Sequence, residues 1–326
     1  MDTEDQSDLC FPQLGNISCR KTTSAWSQMF FFTVFPPITC ILTVLLNLLV
    51  IISISHFRQL YTTTNLLLLS LAISDVLAVL TTLPFVINKI KSCWFLGDIA
   101  CSLMNYLVFI CHSASVGNMV LISADRFVAI CDPLRYTVKV TVKNIQLCIF
   151  LCWSAAAIHC GIVLRDKLAH PEIGNTCLGE CICSTDIIGG FLDIIVNFLI
   201  PLGIIVILYT RVFVVAVSQA RAMRSHVKCY KLQNSAPFRA KRSELKAAKV
   251  LGIVVLVFLM CFCPYNIASL MIYQENVWNY VAYLYSLNSC LNPLIYAVFY
   301  PCFRRAFKHI VTLRILQPGS CEANIL

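Results

Sequence analysis

A bundle of seven membrane-crossing helices is the fold class this sequence predicts, and three observations predict it. The 326-residue chain is 59% hydrophobic and only 13% charged, against roughly 25% charged in an ordinary soluble domain. A globule of that composition lacks the polar surface to stay in water, which excludes a cytosolic enzyme, a disordered chain and a nucleic-acid binder. The apolar residues gather into seven stretches nearly free of Lys, Arg, Asp and Glu, each long enough to cross hydrocarbon, which takes roughly 20 residues. Nineteen of the 25 Lys and Arg residues then fall on one side of those stretches, the asymmetry that marks a cytoplasmic face.

The first stretch covers Phe30 to Ser55, behind a polar tail over residues 1–28 without the pattern of a cleavable signal peptide. The second runs from Thr64 to Asn88, interrupted by Asp75, and the third from Ile99 to Ala124, ending before Asp125 and Arg126. The fourth spans Asn144 to Leu164, the fifth Ile187 to Thr210 with Asp193 inside it, the sixth Val250 to Gln274 and the seventh Asn276 to Phe303. Lipid offers no hydrogen bonds to backbone groups, so each must be helical. The whole chain, 1–326, reads as a single domain: 29–300 make the bundle, and 301–326 a short amphipathic eighth helix and tail. Connections are short except Arg211–Lys249, a cytoplasmic extension, and no internal repeat suggests the halves of a transporter.

Charge asymmetry places the amino terminus outside and the carboxyl terminus inside. Asn16-Ile17-Ser18 is a glycosylation sequon on the outer tail. Most of the net charge of +9 then faces anionic lipid and cytoplasmic partners. Of the 19 Cys residues, those within stretches, such as Cys40, Cys148, Cys152 and Cys261, read as small buried apolar groups. Cys10, Cys19, Cys93, Cys101, Cys177, Cys181 and Cys183 lie on the oxidising outer side, where disulfides are allowed. An odd number leaves at least one unpaired, and connectivity stays open. A bridge from Cys101 to the loop before the fifth helix would hold that loop over the bundle as a lid.

Ionisable residues inside a membrane point to function. Asp75, Asp125 and Asp193 qualify, and no Lys or Arg within the stretches balances Asp75 or Asp193. Asp125 has Arg126 beside it. Around Asp75, the polar residues Asn47, Ser115, Asn288, Ser289 and Asn292 lie at similar depth and form either a pocket for a small cation such as sodium or a polar packing network. Asp193 lies eight residues before Pro201, about 12 Å toward the outside at a rise of 1.5 Å per residue. A carboxylate at that depth is a counter-ion for a protonated amine, with aromatic faces adding cation–π attraction; the alternatives are that it reaches water or bonds a hydroxyl or His112. His112 shares a face with Val108 and reads as a structural residue or as a pocket wall. No motif carries catalysis, a phosphate loop or a resident cofactor, and no ring of donors indicates a channel.

In order along the chain stand Asn47, Leu71-Ala72-Ile73-Ser74-Asp75, Asp125-Arg126-Phe127, Trp153, Pro201 with Tyr209, Cys263-Pro264 and Asn292-Pro293-Leu294-Ile295-Tyr296. With one landmark set on each helix, the sequence resembles a rhodopsin-like (class A) G-protein-coupled receptor. Ile54 through Leu60, Cys131 through Tyr136, Glu244 through Gly252 and above all Asn288 through Phe303 make it similar to the trace amine-associated receptors, with Cys302 where that family usually has Trp.

That resemblance implies disulfides Cys101–Cys181, Cys10–Cys177 and Cys19–Cys93, with Cys183 left over. Val108 stands where aminergic receptors carry Asp, Phe262 where Trp is usual and Ser286 where Tyr is common. A subset of the family, mostly in fish, looks to carry the acid on the fifth helix at the position of Asp193. The implied ligand site then comprises Val108, Phe109 and His112; Asp193 and Asn197; Phe262, Tyr265 and Asn266; and Tyr285 and Ser286. Arg126, paired with Asp125 and with Glu244, would form a resting-state lock that releases with Tyr209 and Tyr296 to admit a G protein; the alternative for Glu244 is a solvated charge. The expectation is an olfactory amine receptor in the plasma membrane of sensory-neuron cilia, coupled to a stimulatory G protein and cAMP, with an allosteric sodium ion near Asp75 and palmitoylation at Cys302 or Cys321. The alternatives are a receptor of the same class for a non-amine ligand and, remotely, a transporter or channel.

Overall fold

Every stretch low in charge forms a helix, and the ends are set by capping groups and prolines rather than by where hydrophobicity fades. The computed structural model describes residues 9–21, 26–182, 185–226, 236–270, 275–323 and 325. Helix α1 runs Trp26–His56, α2 Thr63–Lys91, α3 Gly97–Cys131 and α4 Val142–Val163. Helix α5 is built from Ile187–Ile194, a π-helical turn Ile195–Leu199 and Ile200–His226. Helices α6 (Ala236–Leu270), α7 (Glu275–Phe299) and α8 (Pro301–Val311) follow. Helices α1 to α6 each contain a segment long and apolar enough to cross a membrane.

Local chemistry explains the boundaries. Thr62 and Thr141 accept hydrogen bonds from the backbone N–H groups of Asn65 and Asn144, both at 3.3 Å, and Asp186 does the same for Gly189 at 3.1 Å; helix starts leave such donors over. Helix α3 continues past Ala124 to Cys131 because Asp125 and Arg126 satisfy one another inside it. Helix α7 stops at Phe299, short of Phe303: Tyr300 adopts an extended conformation and Pro301 opens α8, where its missing N–H costs nothing. In α5, Pro201 has no N–H for the carbonyl four residues back, and the ladder widens there, with Ile200 N–H bonded to the Ile195 carbonyl.

Helix α3 sits at the centre against α2, α4, α5 and α6, while α7 closes the ring between α6 and α1, and α8 packs on α1 and α7. Leu67, Leu71, Met119, Ile122, Ile205, Val254 and Tyr296 belong to the buried core. Ile41, Phe150, Ile207 and Met260 are each at least 60% exposed, as suits residues whose solvent is lipid. The tail returns to the end of α1, where Ser320 Oγ lies 3.0 Å from His56 Nε2 and Ile325 is buried.

Three disulfides secure the opposite end. Cys101–Cys181 forms as expected and seats the 164–186 connection on α3. The other two pairings differ from the expectation: Cys10 bonds Cys93, not Cys177, and Cys19 bonds Cys177, not Cys93. Backbone register is the reason. The amino-terminal segment doubles back so that Leu9 bridges Arg20, and Ser18 bridges Leu178. Cys19 N–H then donates to the Leu178 carbonyl at 2.9 Å, which sets Cys19 beside Cys177. Cys10 is turned to the end of α2, its Sγ 3.6 Å from the Ser92 carbonyl. All four lie in one small region, and spacing alone carries no register. Asn16 falls in a 3-10 turn, Pro12–Ile17; its side chain, and Cys183 altogether, lie outside the described residues.

Candidate functional site

Asp193 lies in the last turn of the first segment of α5, ahead of the π turn, and borders a cavity of about 170 Å³. Helix α3 contributes Val108, Phe109 and His112 to its wall, α5 Asp193 and Asn197, α6 Phe262, Tyr265 and Asn266, and α7 Tyr285 and Ser286. All ten residues expected of a ligand site therefore surround one space. Asp193 is the single charged residue on that wall among the described residues; Thr82, Ser113, Val116 and Ala282 complete it.

The carboxylate is held asymmetrically. Oδ1 accepts from Asn197 Nδ2 at 2.7 Å and lies 3.2 Å from His159 Nε2. Asn197 is itself fixed, with Nδ2 2.8 Å from Ser113 Oγ. Oδ2 has no hydrogen-bond partner among the described residues. No Lys or Arg within the stretches meets Asp193 among the described residues; the histidine beside it is His159, on α4, and not His112. A neutral imidazole donating from Nε2 orients the acid and leaves its charge in place; an imidazolium would cancel it. His112 instead packs on Tyr285, ring centroids 4.6 Å apart.

Aromatic rings make the floor. Tyr285 stacks with Tyr265 at 4.8 Å and lies 5.2 Å from Phe262. Phe262 in turn meets Phe258 at 4.9 Å and Phe198 of α5 at 5.9 Å. The smaller ring at position 262 thus still links the cavity floor to α5 and to the inner part of α6.

Deeper in the bundle Asp75 is fully buried. Oδ1 accepts from Ser289 at 2.8 Å and from Ser115 at 3.4 Å, and Oδ2 from Asn292 Nδ2 at 3.0 Å. Asn47 Nδ2 donates to the Ser289 carbonyl at 2.9 Å. The Oδ1 atoms of Asn47, Asn288 and Asn292 are buried without a hydrogen-bond partner among the described residues, which is unusual in folded proteins. One carboxylate with surplus amide and hydroxyl oxygens is a donor set that fits a hard cation such as sodium.

At the far end, Arg126 Nε donates to Asp125 Oδ2 at 3.0 Å, and its Nη2 contacts both Asp125 and Thr64. Thr64 Oγ1 and Tyr136 OH also donate to Asp125, each at 2.9 Å. The hydroxyls of Tyr209 and Tyr296 are buried and have no hydrogen-bond partner among the described residues. The side chain of Glu244, on α6, lies outside the described residues.

Residues 46–296 match the family model described as 7 transmembrane receptor (rhodopsin family). Trace amine-associated receptor 13c of Danio rerio is 36% identical, over 98% of this chain and 97% of its own length. Trace amine-associated receptor 1 of Mus musculus is 34% identical over 95% and 97%, and Trace amine-associated receptor 6 of Homo sapiens 35% over 97% and 95%. The chain belongs to the trace amine-associated receptors of the rhodopsin family. The receptor is accordingly a multi-pass plasma-membrane protein, not an enzyme, of a class that pairs a small-molecule ligand with a heterotrimeric G protein. In this receptor Val108 leaves the α3 wall without an acid, and among the described residues Asp193 is the acid that meets the cavity.

Sequence reasoning missed His159, Thr64 and Tyr136. His159 was discoverable, since a His in an apolar stretch is an ionisable group in the membrane, but a search for Lys, Arg, Asp and Glu passes over it. Thr64 and Tyr136 are ordinary polar residues near helix ends and carry no such signal.

Proposed function

We propose that this receptor detects a protonated amine whose ammonium binds Asp193. The observation that carries the reading is the lone carboxylate on a cavity wall otherwise uncharged among the described residues, one oxygen held by Asn197 and His159 and the other without a hydrogen-bond partner among those residues. Val108 and Phe109 on one side and Phe262 and Tyr265 on the other would enclose the apolar part of the ligand, and ring faces add about 0.5–2 kcal/mol to cation binding. The same ten residues are the proposed ligand contacts.

Agonist occupancy would favour the arrangement in which Arg126 leaves Asp125, Glu244 is freed and Tyr209 and Tyr296 gain partners, a two-state shift driven by differential affinity. A stimulatory G protein raising cAMP is the proposed partner, and sensory cilia the proposed site of action, with the amino terminus outside, Asn16 glycosylated and Cys302 or Cys321 palmitoylated. Asp75, Ser115, Asn288, Ser289 and Asn292 would hold a sodium ion that favours the resting arrangement.

The test is a cAMP reporter in cells expressing the receptor, challenged with volatile amines and polyamines. Amines are expected to raise cAMP, and Asp193→Ala to abolish the response while surface expression stays normal. An amine response retained in that variant refutes the site. His159 gives one concrete reason for a second reading, since a charged imidazole would already balance Asp193; responses to neutral or acidic ligands that survive Asp193→Asn would establish a non-amine receptor.

A further inference from the structure

We infer that the ligand site continues into a second cavity between α1, α2 and α7, which takes the hydrocarbon tail of an elongated monoamine anchored at Asp193. The inference rests on the amine reading above and specifies its ligand class. The second cavity, about 210 Å³, is larger than the 170 Å³ space at Asp193. Thr82, His112, Ala282 and Ser286 line both, so the two spaces adjoin along one wall of small or flat side chains. Ser286 is the decisive residue of that wall: its hydroxymethyl group turns back to the Ala282 carbonyl at 3.0 Å and leaves the junction without a bulky α7 side chain.

Beyond the junction the lining is mostly apolar and aromatic, with Phe32 from α1, Val79, Phe85 and Val86 from α2, and Tyr283 from α7, and with the hydroxyls of Thr39, Thr43 and Ser289 among them. No Asp or Glu lines it among the described residues, and its one charged residue is Lys89. Asp75 stands behind Ser289, already hydrogen-bonded, and is not part of the wall. An alkyl or aryl tail entering this space exchanges water for apolar contact at every carbon. A second ammonium entering it would give up hydration without meeting an Asp or Glu among the described lining residues. The pair of cavities therefore selects one positive charge and a long apolar body, and it disfavours diamines of equal length.

The experiment is a dose–response series of n-alkylamines from propylamine to decylamine, with the matching α,ω-diamines, on the intact receptor in cells. Potency is expected to rise about threefold per added methylene until the tail fills the second cavity, and each long diamine to be at least about tenfold weaker than its monoamine. Val79→Phe narrows only the second cavity and is expected to weaken decylamine about tenfold while propylamine changes less than about twofold. Val79→Ala, which removes volume and so has little to clash with, should move the preferred length one or two carbons longer. Potency that is flat with chain length, diamines equal to monoamines, or a Val79→Phe variant that loses short and long amines alike at normal surface expression would overturn the tail site. If propylamine still acts through Asp193 in any of those cases, the amine reading stands and only the extension falls; if no amine acts at all, both fall.

Discussion

Asp75 and Asp193 are both lone carboxylates in membrane-crossing helices, one fully buried and the other with a side chain 27% exposed. Asp75 receives donors on both oxygens, from Ser115, Ser289 and Asn292, and surplus amide oxygens stand nearby. Asp193 receives its donors on one oxygen, from Asn197 and His159. The difference lies in which helices meet. Helices α2, α3 and α7 bring hydroxyl and amide groups around Asp75, whereas α5 gives Asp193 support from the side of α4 and leaves it on a cavity wall toward α3, α6 and α7. An intramembrane acid surrounded by donors belongs to the packing; one supported from a single side is left open to a partner from outside the fold.

The largest test of that contrast is stability. Asp75→Leu strands the Ser289 hydroxyl and the Asn292 amide in the core, while Ser115 keeps Ser74; at about 1–3 kcal/mol for each donor left unsatisfied, the purified receptor should lose about 2 kcal/mol or more, read as a fall in thermal midpoint. Asp193→Leu should cost about 1 kcal/mol or less, because Asn197 keeps Ser113 and the cavity spares the new side chain a clash. Equal losses at the two positions would erase the distinction. Removing support without removing charge comes next. His159→Ala should weaken amine potency about tenfold, the cost of letting the carboxylate leave its binding rotamer, and His159→Gln, which keeps an N–H donor, should recover most of it. A gain in potency in His159→Ala would mean instead that the imidazole competes with the amine.

The seven stretches and the depth of the three acids were legible in the sequence because the bilayer imposes length and penalises charge, and both leave marks in composition; of the residues around the cavity that accounting reached Asp193, and the full set came from the resemblance to the receptor family. The outer disulfides were not. Cys10, Cys19, Cys93 and Cys177 fall in one cluster, and only the bridges Leu9–Arg20 and Ser18–Leu178 decide who pairs with whom. The low-charge stretch of the seventh helix runs on to Phe303, past the break at Tyr300 and Pro301; composition reports what lipid tolerates, and geometry ends the helix. The π turn of α5 had a sequence cause in Pro201, yet a proline in a helix is equally compatible with a kink, and which of the two occurs depends on packing.

A smaller effect separates the two acids by their cations. If Asp75 holds sodium in the resting arrangement and amines favour the other, ion and agonist oppose one another through a single coupling free energy. Replacing external sodium by N-methylglucamine should then raise amine potency about fivefold, the low end of such couplings. Asp75→Asn should remove that dependence while the receptor still answers amines through Asp193. His159→Gln, which alters the setting of Asp193 alone, should keep the sodium effect at full size. A sodium effect that survives Asp75→Asn but disappears in His159→Gln would put the small cation in the outer cavity, in competition with the ammonium for the same carboxylate, and the division of labour between the two acids would have to be redrawn around Asp193.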